Sequence, residues 1–256
     1  MLALANETTR GLPVTLVQAS YNDLGDHLAR LGWGNVDGVL LDLGLSSDQL
    51  AWTERGFSFA RDGPLDMRFD PDEPSTAADL VNRLGAEDLA NLIYEFGEER
   101  HSRRVARRIV EARRVAPIET TGQLAAIVRS AIPGKWGPID PATRVFQALR
   151  IAVNGELERL DEALQRLPDL LAPGGRLAII SFHSLEDRRV KYAFRDDERL
   201  EVLTKKPITA SDDEVRSNPR ARSAKLRVAE RWLNSKPPPP GPTDSWRTRR
   251  ERRKSS

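Results

Sequence analysis

The feature that most constrains the fold is a continuous apolar run, residues 36–43 (VDGVLLDL), with an acidic residue near its end. A short run of this kind bounded by turn residues predicts a strand buried in a parallel sheet. A second β-rich run covers 13–18, and residues 22–31 between the two have helical spacing that Gly32, Trp33 and Gly34 stop. The order strand, helix, strand with short links indicates a βαβ unit and therefore an α/β fold.

Further elements follow the same logic along the chain. A strand at 175–182 is predicted after a helix at 142–171 and a turn at 172–175, and a short helix after Val190 leads to an antiparallel strand pair. The remaining predicted elements are helices at 77–84, 86–96, 98–116 and 121–131 and the paired strands at 200–203 and 225–232. We predict an α/β domain from 1–75 and 136–235, a helical insertion at 76–135, and a disordered basic tail at 236–256, where a proline run cannot build a core.

Composition narrows the class of protein and its partners. The chain has no cysteine, which excludes disulfides and thiolate chemistry, and no apolar run long enough to cross a bilayer, so we expect a cytoplasmic protein without membrane contact. The net charge of +2 conceals basic segments at 100–114, at 216–231 and after Trp246. Such segments suit a polyanionic partner, although solvated helix faces explain them equally well.

Polar residues directly after predicted strands are the first site candidates. Asp42 ends one strand, and ligands of open parallel sheets bind beyond the carboxyl ends of the strands; a helix-capping role is the alternative. His183 follows another strand and is either a general base or a structural histidine. No pair among the three histidines has metal-ligand spacing, so no metal is expected. The long loop 55–70 combines aromatic and basic side chains with acidic residues. It is either a functional loop or an ordered loop whose aromatic side chains pack into the core.

Several longer motifs occur together and in a fixed order. They are 42–50 (DLGLSSDQL), 55–59 (RGFSF), 63–68 (GPLDMR), 94–100 (YEFGEER), 144–154 (RVFQALRIAVN), 181–187 (SFHSLED) and 218–227 (NPRARSAKLR). In these motifs the chain resembles the bacterial 16S ribosomal RNA cytosine-N4 methyltransferases of the MraW type. Several long matches in order are far more specific than one short pattern.

The resemblance implies a class I methyltransferase (Rossmann-like) α/β sheet, N-terminally incomplete, with an inserted helical subdomain. It implies S-adenosylmethionine as cofactor and methylation of a cytidine amine in the decoding region of 16S rRNA in the small ribosomal subunit. Matching family positions assign Tyr21, Asp42 and Gln49 to the cofactor. Ser46, Asp66 and His183 are the catalytic candidates near the base, in that order, and Phe57 or Phe59 is expected to stack on the unstacked base.

The family's first strand, glycine-rich loop and second strand have no counterpart in this sequence, which opens just before the third strand. In the class I strand order 3-2-1-4-5-7-6, strands at 13–18 and 36–43 would then have a gap between them and leave sheet edges exposed. We therefore expect this chain to bind cofactor poorly. A start codon assigned too far downstream and a true truncation that persists as a non-catalytic rRNA-binding fragment both remain open.

Overall fold

The computed structural model describes residues 2–46, 53–132, 134, 136–137 and 139–233. The helices are α1 Leu2–Thr8, α2 Leu24–Arg30, α3 Ala77–Arg83, α4 Ala86–Gly97, α5 Ser102–Arg113, α6 Thr121–Ala131, α7 Ala142–Asn154, α8 Glu156–Leu170, α9 Ser184–Asp196 and α10 Asp212–Ser217. The strands are β1 Val36–Asp42, β2 Leu171–Ser181, β3 Leu200–Val202, β4 Ile208–Thr209 and β5 Lys225–Arg231, and 3₁₀ turns occur at Tyr21–Asp23, Thr53–Arg55 and Pro219–Ser223. No helix in these described ranges is both long and apolar enough to cross a membrane.

The strands form one mixed sheet in the order β1-β2-β5-β3, with β4 paired to β5. β1 and β2 run parallel, with Asp42 opposite Ile180, whereas β5 is antiparallel to both β2 and β3. If β1 is the fourth strand of a class I methyltransferase, this order is its 4-5-7-6 half. The α/β class and the antiparallel pair near the C-terminus are therefore confirmed.

The predicted strand at 13–18 is wrong, because these residues form no ladder. Val14 and Val17 are about half exposed, and the edge of β1 away from β2 has no strand partner in the described part of the chain. A β-rich sequence becomes a strand only where a neighbour accepts its backbone hydrogen bonds. The exposed sheet edge that the strand order predicted is confirmed at β1.

β1 is also buried on one face only, although its continuous apolar run predicted a buried strand. Val39 and Leu41 are less than a tenth exposed, whereas Leu40 between them is 64% exposed. Since alternate side chains of a strand point to opposite faces, one face of β1 is covered and the other is open. Helix α9 packs against β2 and β5, and its Val190 and Phe194 are buried.

The described residues divide into two compact units. The first holds the chain up to Leu43 and from Asp161 onward, with the sheet and helix α9. The second, Gly44–Leu160, is a helical body with its own apolar core, which includes Leu89, Ile93 and Ile109. The predicted insertion at 76–135 lies wholly within this second unit, and the division into domains stays a prediction.

Helices of the second unit begin and pack as their sequences dictate. Thr76 and Thr120 form capping boxes with Asp79 and Gln123 at the starts of α3 and α6. At Gly97 a Cβ atom would lie 2.5 Å from the carbonyl oxygen of Arg144 on α7, so α4 and α7 approach closely only because this residue is glycine.

Several element boundaries differ from prediction. The predicted helix at 142–171 is two helices, because Gly155, with φ of 56°, takes the left-handed conformation that ends α7. Helix α9 begins at Ser184, well before the predicted start after Val190, because His183 caps it. Helix α5 spans only the centre of the predicted 98–116 helix, and α1 was not predicted.

Candidate active site

The carboxyl ends of β1 and β2 lie side by side in the first unit. The backbone N–H of Leu43 donates to the carbonyl of Ile180 at 3.0 Å, which extends the parallel pairing to the end of both strands. Asp42 is exposed there, and no hydrogen bond or ion pair of its side chain occurs within the described residues. This position is the one where open α/β sheets bind ligands, so Asp42 offers a free carboxylate at the expected edge.

His183 begins helix α9 at the end of β2. Its Nδ1 accepts a hydrogen bond from the N–H of Glu186 at 3.4 Å, and the Glu186 carboxylate accepts from the N–H groups of Phe182 and His183, at 2.8 and 3.3 Å. The Nε2 atom of His183 lies 3.2 Å from that carboxylate, and both side chains are at most a tenth exposed. The arrangement is a capping box, which favours the structural alternative for His183.

A buried ion pair joins α9 to β5. The guanidinium of Arg227, 6% exposed, donates from Nε to Oδ1 of Asp187 at 2.7 Å, and Nζ of Lys225 lies 3.5 Å from Oδ2. Burial acts to raise the pKa of Asp187, but the hydrogen bond and charge of Arg227, with Lys225, outweigh it and hold the pKa below its ordinary value. The pair connects the motif at 181–187 to the motif at 218–227.

Tyr21 opens the 3₁₀ turn that precedes α2 and belongs to the first unit. The hydroxyl of Ser20 accepts from the N–H of Asn22 at 3.3 Å, and the Asn22 amide donates to Glu162 on α8 at 2.9 Å. The turn is therefore fixed to α8, and Tyr21 is partly buried.

Ser46 and Asp66 lie in the second unit, whereas Gln49 lies outside the described residues. Asp66 accepts hydrogen bonds from Arg68, whose Nε and Nη2 atoms each donate at 2.9 Å and whose backbone N–H donates at 3.0 Å. The hydrogen bonds from Arg68 lower the pKa of Asp66 despite its partial burial. Asp66 is thus held as a carboxylate with much of its hydrogen-bonding capacity in use.

The loop 55–70 has no helix or strand after its first residue, as predicted, yet it is firmly held. The amide of Asn154, 3% exposed, donates to the carbonyl of Met67 at 2.8 Å and accepts from the N–H of Phe69 at 2.7 Å. The guanidinium of Arg55 donates to the carbonyl of Phe69 at 3.0 Å. Buried Met67 has φ of 66°, a left-handed conformation that such surroundings maintain.

The aromatic residues of this loop divide into core and surface. Phe57 is 8% exposed, and Phe59 packs edge-on against Phe146 at 4.8 Å between centroids. The interpretation of these two rings as core plugs is therefore the one that their packing favours. Phe69, stacked on Phe57 at 5.4 Å, is 37% exposed and presents part of its ring to solvent.

The structure brings Tyr21, Asp42 and His183 into one compact unit and Ser46 and Asp66 into the other. Sequence reasoning missed the Asp187–Arg227 pair and the role of Asn154, although all three residues lie in quoted motifs. An asparagine at the end of an amphipathic helix is the signal that could have identified Asn154. Nothing in the largely charged strand pattern at 225–231 singles out Arg227.

Residues 1–232 match the model of a family described as the MraW methylase family. The chain is also similar to proteins named ribosomal RNA small subunit methyltransferase H. That of Sorangium cellulosum is 55% identical over 231 residues, 90% of this chain and 73% of the relative. That of Synechococcus elongatus is 60% identical over 77% of this chain and 66% of the relative. That of Gloeobacter violaceus is 63% identical over 76% of this chain and 61% of the relative. These alignments span about two thirds of the relatives' length.

Proposed function

This chain belongs to the MraW methylase family, and we propose that it transfers a methyl group from S-adenosylmethionine to the N4 amine of a cytidine in the decoding region of 16S rRNA, in the cytoplasm. The names of the relatives support an enzyme that methylates RNA of the small ribosomal subunit. The target base and atom rest on the resemblance of the seven motifs.

The free carboxylate of Asp42 is the observation that carries the proposal. It stands exposed at the carboxyl end of β1, beside the end of β2, where its charge suits the ammonium group of the cofactor's methionine portion. Tyr21, in the same unit, is proposed to pack beside the adenine, and Gln49 to contact the cofactor in the segment after Asp42. These residues fit part of the cofactor, while the family's glycine-rich loop is not represented among them.

S-adenosylmethionine supplies an electrophilic methyl group on a sulfonium. As the N4 amine attacks, the N–C bond forms, the C–S bond breaks with its electrons passing to sulfur, and a proton leaves the nitrogen. The protein must orient the amine and accept a hydrogen bond from its N–H.

Among the proposed acceptors, Ser46 comes first, before Asp66 and His183. Asp66 remains charged because Arg68 lowers its pKa, so it accepts hydrogen bonds well but is a weak proton acceptor. His183 uses Nδ1 in the helix cap, which leaves it a positioning role.

Phe69 replaces Phe57 and Phe59 as the proposed stacking partner of the base. Its ring is exposed, its backbone is fixed by Asn154 and Arg55, and its inner face rests on Phe57. A preorganised aromatic surface of this kind can stack on any unpaired base.

The test uses a form of the protein extended upstream from the genomic DNA. It measures methyl transfer from tritiated S-adenosylmethionine to small ribosomal subunits, with digestion of the RNA and identification of the modified nucleoside by mass spectrometry. We expect N4-methylcytidine.

Asp42→Asn should weaken cofactor binding roughly 10- to 100-fold, because it removes one charge-assisted hydrogen bond. Asp37→Asn, an exposed acid near the other end of β1, is the matched control and should bind as the parent does. Equal losses in the two variants, or a different methylated nucleoside, would refute the proposal.

A non-catalytic rRNA-binding protein is the second candidate. It is favoured because no described strand pairs with the outer edge of β1, where the rest of a cofactor-binding sheet would lie, and because the basic segment 100–114 suits a polyanion. RNA binding without incorporation of label, by this chain and by a form extended upstream from the genomic DNA, would select it.

A further inference from the structure

Helix α5 carries a row of exposed cations on a rigid support. Its inward side is fully buried through Val105, Ala106 and Ile109. Its outward side exposes four arginines, which we call the arginine face: Arg103, Arg104, Arg107 and Arg108. Because the helix is anchored in the core of the second unit, these cations project from a fixed base.

Most of the arginine face has no internal counter-charge. Arg108 pairs with Glu111 at 3.1 Å, but Arg103, Arg104 and Arg107 make no ion pair with any carboxylate in the described ranges. Some exposed arginines elsewhere are paired with a nearby acid, as Arg83 is with Asp79 and Arg216 with Asp213. The face is therefore a local excess of positive charge in a chain of nearly balanced charge.

The placement of these cations opposes helix stability. The first turn of α5 has no acidic residue and two arginines, although the helix dipole favours anions there, and α3 and α4 follow that preference with Asp79 and Glu87. Arg103 and Arg104 also lie four residues before Arg107 and Arg108, a spacing at which like charges repel. Local rules broken without a compensating contact are typical of functional surfaces.

We propose that the arginine face of α5 docks the phosphate backbone of the RNA. This inference rests on the proposed rRNA substrate. A membrane-binding helix would expose apolar residues beside its cations, and the centre of a protein interface is depleted in charge; α5 turns its apolar side chains inward and exposes charge alone. Arginine in turn recognises phosphate through paired donors.

The test compares two triple variants of the full chain that change net charge equally. Arg103→Gln, Arg104→Gln and Arg107→Gln remove the unpaired cations. Arg83→Gln, Arg195→Gln and Arg216→Gln remove three exposed arginines that already pair with acids. The probe is a labelled transcript of the 16S decoding region, titrated without cofactor between about 50 and 200 mM salt.

We expect the first variant to lower the slope of log affinity against log salt by roughly 2 to 3 units, because each lost phosphate contact contributes about 0.7 to 0.9. The second variant should keep the parent's slope. Thermal unfolding should show the first variant folded, with no loss of stability, since repulsion within α5 is relieved.

An unchanged slope in the first variant, or an equal fall in both, overturns the inference. So does preferential binding of anionic phospholipid vesicles or polyglutamate through the same three arginines. Methyl transfer is measured separately: its absence together with the expected change of slope would reject the proposed reaction and leave the docking surface standing. Normal methyl transfer with no change of slope would support the proposed reaction and reject the docking surface.

Discussion

Single residues hold the loop 55–70 in place, among them the buried Asn154. Its buried amide satisfies the carbonyl of Met67, the N–H of Phe69 and the carbonyl of Arg150 at 2.7–2.8 Å. These contacts maintain the left-handed backbone at Met67. The loop's lack of regular structure was predictable from its sequence, whereas its rigidity was not, since it comes from a residue almost ninety positions away.

Asn154→Ala should destabilise the chain by about 2–4 kcal/mol, because it leaves buried backbone groups of the loop unpaired. Urea unfolding of the variant measures the loss. Asn91→Ala, on the exposed side of α4, is the control and should change stability by less than about 0.5 kcal/mol. If Asn154→Ala lowered the free energy of unfolding by less than about 0.5 kcal/mol as well, the loop would be stable without the contacts of Asn154.

Pairs of elements are fixed by contacts that only the fold creates. The sequence predicted α9 and β5 separately, but not the Asp187–Arg227 pair between them. Helices α3, α4 and α6 were predicted to within one residue because apolar spacing within a helix is local information. The strand at 13–18 was predicted wrongly because a strand requires a neighbouring strand for its backbone hydrogen bonds. The local sequence of residues 13–18 does not indicate whether such a neighbour is present.

Asp187→Asn should cost about 3–5 kcal/mol near pH 7, since it leaves buried Arg227 without its anion. The pKa of Asp187 is lowered in the folded chain, so its stabilisation is fully present above the ordinary aspartate pKa and is lost as the pH falls through the folded value. The difference between parent and variant in the free energy of unfolding, measured in urea, should therefore shrink below about pH 4.

Asp196→Asn, which breaks the exposed pair with Arg195, is the control and should cost at most about 1 kcal/mol. A difference that persists at low pH would contradict the assignment.

At the scale of the molecule, no strand in the described part of the chain pairs with the edge of β1 away from β2, and Leu40 is exposed on the open face of that strand. The β1-β2-β5-β3 order agrees with half of the class I arrangement that the motifs implied, so the sequence was sufficient for the fold class. It was sufficient to nominate Asp42 but not to fix the rest of the candidate site, because Ser46 and Asp66 belong to a different unit from Asp42 and Gln49 lies outside the described residues.

Calorimetry with S-adenosylmethionine should show little or no binding by the 256-residue chain and clear binding by a version extended upstream from the genomic DNA. The physical reason is that a strand beside the free edge of β1 would complete the ligand-binding end of the sheet. Tight binding by the shorter chain would show that the gap does not impair the site. An extended form that fails to bind as well would favour the RNA-binding alternative.

Gly97 has a consequence for how this fold tolerates change. A single added methyl group there would lie 2.5 Å from the carbonyl oxygen of Arg144. The short distance between the axes of α4 and α7 therefore requires that residue 97 has no side chain. Random mutagenesis should find positions on the outer sides of these helices permissive, while even alanine at position 97 would force two helices of one core apart. The packing of α4 against α7 is thus constrained by the absence of a side chain at position 97.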